Sequence, residues 1–200
     1  MEKNKFKRTN PLDIVYTIVD FARFILIVIV VVFLILTFVM RKEQVSGTSM
    51  YPTLKDGESV IINIASNYIG ELKRFDVVVA KEYQSDDLWV KRIIGLPGET
   101  VSYKEDKLYI NGEYVEEPFL DKNYMEEYLK NTGKQLFTEN YTSKKLGEDE
   151  YLLMGDNRGE SLDSRSETVG PFKREQIIAE GMLVYKPLSD ARYVSNGAAK

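Results

Sequence analysis

The sequence predicts a mainly β protein, with one N-terminal transmembrane helix followed by a mostly antiparallel β-sheet domain that carries a small inserted hairpin and helix region. Three observations carry that prediction. Residues 24–40 read FILIVIVVVFLILTFVM, with no charge and one hydroxyl. Beyond residue 44 come short runs rich in Val, Ile and aromatic residues, bounded by Gly, Asp and Ser. Asn111-Gly112 stands between two alternating runs, which is the strongest short hairpin signal. Little helical periodicity separates the strand-like runs, and this favours antiparallel pairing over βαβ units.

The apolar run spans about 26 Å as a helix. Phe21 and Ala22 lengthen it, and Arg23 can snorkel to the interface. A buried core helix would show a polar face, and this run has none. A cleaved signal peptide would have a shorter apolar stretch with a small-residue site close behind, whereas Met40, Arg41, Lys42 and Glu43 follow here. The N-terminal side carries Lys3, Lys5, Lys7, Arg8 and Arg23 against Glu2, Asp13 and Asp20, while Arg41 and Lys42 pull the other way. Long domains translocate largely regardless of charge, so the short basic segment is expected in the cytoplasm and the remainder outside. The expected organisation is a cytoplasmic N-terminus over 1–20, a signal-anchor helix over 21–40, an extracytoplasmic domain over 41–188 and a flexible tail over 189–200.

Strand texture recurs at 58–65 (ESVIINIA), 74–83 (RFDVVVAKEY) and 88–96 (LWVKRIIGL). In 100–115 (TVSYKEDKLYINGEYV) a polar KED turn joins two alternating runs. Residues 151–155 (YLLMG) and 180–187 (EGMLVYKP) return to strand texture. Before them, 116–150 reads as a variable insertion with one short helix. Its Tyr124, Met125, Tyr128 and Leu129 share a helical face, Asp121 is placed to cap it and Gly133 to stop it.

Composition narrows the chemistry. A net charge of −4 argues against nucleic acid as the main partner, because no basic surplus exists to neutralise phosphates. With no Cys and no His, disulfides, a thiol nucleophile and a Ser-His-Asp triad are excluded, and the common zinc ligands are missing.

In SGTSMYPTL (46–54), Gly47 and Pro52 bracket Ser49 and hold it near a turn. Such a serine is either ordinary loop chemistry or a nucleophile. As a nucleophile it needs a base, and without His the candidates are Asp, Glu and Lys. A lysine serves only when neutral. Poising its amine at ~7–8 instead of about 10.4 requires an environment that disfavours the charge by on the order of 3–4 kcal/mol, for which burial is the usual source. Lys91 fits, because in LWVKRIIG a strand puts Trp89, Lys91 and Ile93 on one face. Arg92 points to the other face, yet is expected to disfavour charge on Lys91. The competing reading is an edge-strand lysine that guards against aggregation. Lys81, at a strand end, is the nearest rival. The third cluster, GDNRGESLDSR (155–165), is polar and turn-rich between two apolar strands. It reads as a surface loop or as a hydrogen-bonded network that orders its neighbours. Metal binding by Asp156, Asn157 and Asp163 is weighed against Arg158 and Arg165, which balance those carboxylates, and no metal is expected.

The order of these motifs after a membrane anchor resembles the type I signal peptidases of Gram-positive bacteria. The match runs through SGTSMYPTL, RFDVVV, VKRIIGLPGE, the hairpin and GDNRGESLDSR. The resemblance implies a Ser-Lys dyad, with Ser49 as nucleophile, Lys91 as general base and Ser161 hydrogen-bonded to the lysine amine. It implies that Arg92, Asp156, Arg158, Asp163 and Arg165 form a supporting ion-pair network. Strands near Val45 and at 88–90, ending on Val90, would bind substrate as an added extended strand, and Met50 would lie near the lipid surface. Two departures stand out. Some relatives carry a serine two positions before the nucleophile; here that position is Gly47, with Ser46 one step further off. The oxyanion is therefore expected to rely on backbone amides, chiefly the Ser49 N–H. RFD replaces the Arg-Gly-Asp often seen in the third motif, with Asp76 retained.

The implied activity is membrane-bound removal of signal peptides from exported preproteins through an acyl-enzyme, with small residues preferred before the cleavage point. No cofactor is expected, and the expected partners are preproteins and the lipid bilayer. Two rivals remain. A self-cleaving repressor domain of the SOS type also uses a Ser-Lys pair on a β fold, but needs a DNA-binding segment where the apolar span stands. A catalytically silent, membrane-tethered β module would bind a partner outside the cell.

Overall fold

The computed structural model describes residues 11–64, 70–82 and 87–195. The basic residues 3, 5, 7 and 8, on which the expected orientation rests, lie outside these. The chain divides into two compact units, Met1–Val39 and Met40–Lys200.

The first unit holds helix α1, Pro11–Phe38. Pro11 opens it where a missing N–H costs nothing. Within it, Leu12–Ile35 has a mean hydropathy of 3.0 and no residue buried, and is long and apolar enough to cross a membrane. The helix starts before residue 21 because Leu12, Ile14, Val15, Ile18 and Val19 extend the apolar surface around Asp13 and Asp20. Asp20 and Arg23, one turn apart, pair at 3.7 Å.

The second unit is built from antiparallel strands. One sheet runs β1 (Met40–Gln44), β2 (Ser59–Asn63), β12 (Met182–Lys186), β13 (Arg192–Val194). A second runs β10 (Phe172–Lys173), β9 (Glu150–Met154), β4 (Leu88–Gly95), β3 (Val77–Lys81), β11 (Ile177–Glu180). The third runs β7 (Glu113–Val115), β6 (Lys107–Ile110), β5 (Val101–Lys104), β8 (Tyr141–Thr142). The two hairpins of the third sheet turn on Glu105-Asp106 and Asn111-Gly112, all four with positive φ, as two-residue primed turns require. The KED turn is therefore shorter than the sequence reading, since Lys104 pairs with Lys107 inside the ladder.

Helix α2 (Lys122–Thr132) begins where Asp121 accepts from the Asn123 and Tyr124 amides, and stops at left-handed Gly133. The segment read as a tail from Ser189 contributes β13. Its Val194 is buried in the core because β13 completes the hydrogen bonding of the β12 edge. The core falls into three apolar clusters around these sheets. Two strand edges stay open near one another. β1 is the outer strand of its sheet, and β4 pairs with β9 only from Arg92 onward, which leaves 88–91 unpaired on that side.

Candidate active site

A cleft of about 350 Å³ lies along these open edges. Its lining includes Val45, Ser46, Gly47, Ser49, Met50, Val90, Lys91, Glu160 and Leu162. Ser49 sits in a tight turn closed by the Tyr51 N–H donating to the Thr48 carbonyl at 3.0 Å. Lys91 comes from the middle of β4, where Val78 of β3 stands opposite. It is only 4% exposed, with its amine 5.4 Å from the Trp89 ring centroid, so the shared face read from the sequence exists. Lys81 is exposed.

The Lys91 Nζ donates to Ser161 Oγ at 3.1 Å. Burial is the dominant influence on this amine and lowers it to about 8, with Arg165 adding to the effect and Asp163 and Asp156 opposing it. The second cation is therefore Arg165 and not the neighbour Arg92. The reason is the strand pleat: Arg92 turns away and gives its Nε and Nη2 to both oxygens of Asp156 at 2.8 and 2.6 Å, and its Nη1 to the Phe75 carbonyl.

The expected ion-pair network resolves into separate pairs. Asp163 is clamped by Arg165 at 2.8 and 2.9 Å and accepts from the Gly155 N–H at 3.0 Å. Burial pushes the Asp163 carboxyl up, but Arg165 and these hydrogen bonds outweigh it and hold it below its ordinary value. Arg165 also reaches the carbonyls of Arg158 and Ser161, so it ties the Ser161 loop to itself. Arg158 is fully enclosed and pairs with Glu117, with Tyr103 alongside. Asp156 accepts from Thr53 Oγ1 at 2.5 Å, which links the 155–165 loop to the segment after Ser49. The polar cluster is thus largely enclosed, with Asp156, Asn157, Arg158 and Asp163 buried and Glu160 and Leu162 left exposed.

Further details define the surroundings of Ser49. Met50, expected near the lipid surface, is 2% exposed and belongs to the apolar cluster with Leu54, Val60 and Ile62, because the turn at 49–51 folds its side chain inward. Val45 lies just past the end of β1, its amide bonded to the Glu58 carbonyl. The Gly47 N–H donates to Asp56 at 2.7 Å and is spoken for. Among the described residues the Ser49 N–H has no protein acceptor.

Two residues join the serine turn to the Ser161 loop, a part the sequence reading did not give them. Asn157 holds the serine turn from below: its N–H donates to the Ser49 carbonyl at 3.0 Å and its side-chain amide to the Thr48 carbonyl at 3.1 Å. Gly155 is where the serine turn and the Ser161 loop cross. A Cβ there would lie 2.3 Å from both the Ser49 carbonyl oxygen and Ser161 Oγ. Their adjacency in GDN was visible, but nothing local shows which segment they touch. Among the described residues no group of His, Cys, Asp or Glu is arranged to hold a metal ion.

Residues 18–186 match the family described as Signal peptidase, peptidase S26. Signal peptidase I T of Bacillus subtilis (strain 168) is 40% identical over 191 residues, covering 96% of this chain and 94% of that protein. Signal peptidase I S of the same strain is 41% identical, covering 88% and 93%. A crystal structure of a signal peptidase I from Enterococcus faecalis V583 shares 32% identity with a TM-score of 0.48, covering 56% of this chain and 97% of that one.

Proposed function

The chain belongs to the signal peptidase family, peptidase S26, as a membrane-anchored serine endopeptidase of the signal peptidase I type that cleaves signal peptides with a Ser-Lys dyad, and from that premise we propose that Ser49 and Lys91 are the dyad. The observation that carries this is the buried Lys91 amine, lowered to about 8 and lining one cleft with Ser49. In this reading neutral Lys91 takes the Ser49 proton as the hydroxyl oxygen attacks the scissile carbonyl. The Ser49 N–H stabilises the oxyanion. Protonated Lys91 then gives its proton to the leaving amine, and an acyl-enzyme on Ser49 remains. Neutral Lys91 next activates water, which hydrolyses the ester and frees the serine. Ser161 holds the amine in line throughout. Arg92, Asp156, Arg158, Asp163 and Arg165 fix the loop that carries Ser161.

The preprotein lies as an extended strand between the open edges of β1 and β4. The apolar lining by Val45, Val79 and Val90 supports a preference for small apolar residues before the cleavage point. The chain is oriented with its basic N-terminal segment in the cytoplasm, its anchor in α1 and the catalytic domain beyond it outside. The Lys and Arg of the N-terminal segment support that orientation.

The test is cleavage of a purified preprotein by the full chain in detergent. Ser49→Ala and Lys91→Ala each abolish cleavage while leaving the fold intact, and Lys91→Arg fails too because guanidinium does not deprotonate near neutral pH. Substantial turnover by Lys91→Ala overturns the base assignment. Protease added to intact cells or protoplasts degrades the domain beyond residue 44; its protection would reverse the orientation.

A further inference from the structure

Helix α2 belongs to the insertion and supplies no residue to the cleft lining. Its two tyrosines nevertheless meet both halves of the site. Tyr124 and Tyr128 stand one turn apart on a helix capped at both ends. The Tyr124 ring packs edge-on against Tyr51, with centroids 4.9 Å apart, and the Tyr51 N–H closes the turn that displays Ser49. The Tyr128 hydroxyl donates to Glu160 Oε1 at 2.8 Å, and Glu160 immediately precedes Ser161. The same phenol lies so close over Gly159 that a Cβ there would be 2.2 Å from its oxygen. Phe137, which is 1% exposed, stands edge-on to both rings at 5.9 and 5.4 Å. Phe137 thus backs both tyrosines on the side away from what they touch. One turn of one helix contacts the segment that carries the serine and the segment that carries the hydroxyl next to the lysine.

Resting on the dyad reading above, we propose that α2 braces the catalytic site, with Tyr124 and Tyr128 as positioning residues that hold the Ser49 turn and the Ser161 loop in register. Neither tyrosine lines the cleft. Their effect is geometric: proton transfer from Ser49 to Lys91 is sensitive to displacements near 1 Å, which cost up to about 100-fold. An unbraced Ser161 loop also admits water to the Lys91 amine and weakens the desolvation that lowers it.

The experiment measures kcat, KM and pH profiles of full-length variants in detergent, with Ser49→Ala and Lys91→Ala alongside. Tyr124→Ala lowers kcat about 10-fold with KM within about twofold, and Tyr124→Phe recovers most of it because the ring edge remains. Tyr128→Phe keeps the ring against Phe137 and loses the hydroxyl's bonds to Glu160 and to Lys134, of which only the first reaches the Ser161 loop, so it lowers kcat by roughly 2- to 5-fold. Tyr128→Ala moves the apparent pKa of kcat/KM upward from about 8; if that variant does not fold, Tyr128→Phe and Tyr124→Ala decide alone. Wild-type kcat and pH profile in those two, with the dyad variants inactive, overturns the brace and leaves the dyad standing. Activity in Ser49→Ala overturns both.

Discussion

The amine of Lys91 and the hydroxyl of Ser161 meet at 3.1 Å, although they come from the middle of a strand and from a polar loop far along the chain. A neutral hydrogen bond of this kind contributes roughly 0.5–1.5 kcal/mol, or about 2- to 12-fold in rate, and misorienting the base adds to that. Ser161→Ala is therefore expected to slow preprotein cleavage roughly 10- to 100-fold. Ser161→Thr, which keeps a hydroxyl, is milder. Single-turnover rates of both variants check this. Cleavage by Ser161→Ala at the wild-type rate would reduce Ser161 to a loop residue.

The pH dependence follows from the same amine. Burial lowers Lys91 to about 8, and the base works when deprotonated. The kcat/KM profile should thus climb from acidic pH, with its midpoint near 8, and level off above it. A profile still climbing at pH 10 would refute a buried base.

Stability carries the opposite sign for this residue. The folded state binds the Lys91 proton more weakly than the unfolded chain, where the amine titrates near its ordinary value of 10.5. Charge on Lys91 therefore destabilises the fold at neutral pH, and the penalty fades as pH rises from about 8 toward 10.5. Lys91→Met, similar in length and apolar, should be inactive yet more stable at pH 7 by on the order of 1–3 kcal/mol. Urea melts at pH 7 and pH 10 measure this, with the gain smaller at the higher pH. An equal gain at both values would mean that it does not come from the proton.

Gly155 sets how closely the serine turn and the Ser161 loop approach. A methyl there would meet the Ser49 carbonyl and Ser161 Oγ at 2.3 Å, and one of them is backbone held by Asn157. Gly155→Ala must push Ser161 off the Lys91 amine or shift the Ser49 turn. Cleavage should fall by at least as much as in Ser161→Ala. A melting curve beside the kinetics separates displaced chemistry from a lost fold, and wild-type cleavage would mean that the crossing relaxes without cost.

The sequence by itself determined whatever rests on local pattern. Uninterrupted apolar residues made α1 legible, because a helix without a polar face has to cover itself with lipid. Alternation and turn chemistry announced β2 to β7, and Asp121 and Gly133 marked the ends of α2. With no histidine in the chain, a serine's base has to be Asp, Glu or Lys, and Trp89 and Ile93 beside Lys91 pointed to its burial. Strands such as β1, β8, β10 and β13 were not legible. They are short or charged, and extended structure there is stabilised by pairing with β2, β5, β9 and β12, not by their own residues. Tertiary structure alone decided which carboxylate each arginine takes: Asp156 for Arg92, Glu117 for Arg158, Asp163 for Arg165. It also decided that Met50 points into the core, that Asn157 grips the Ser49 turn and that Gly155 lies where two loops cross. The physical reason is common to all of these. Side-chain pairing and close backbone approach depend on distances between segments far apart in the chain, and residue type at one position carries no record of what stands opposite.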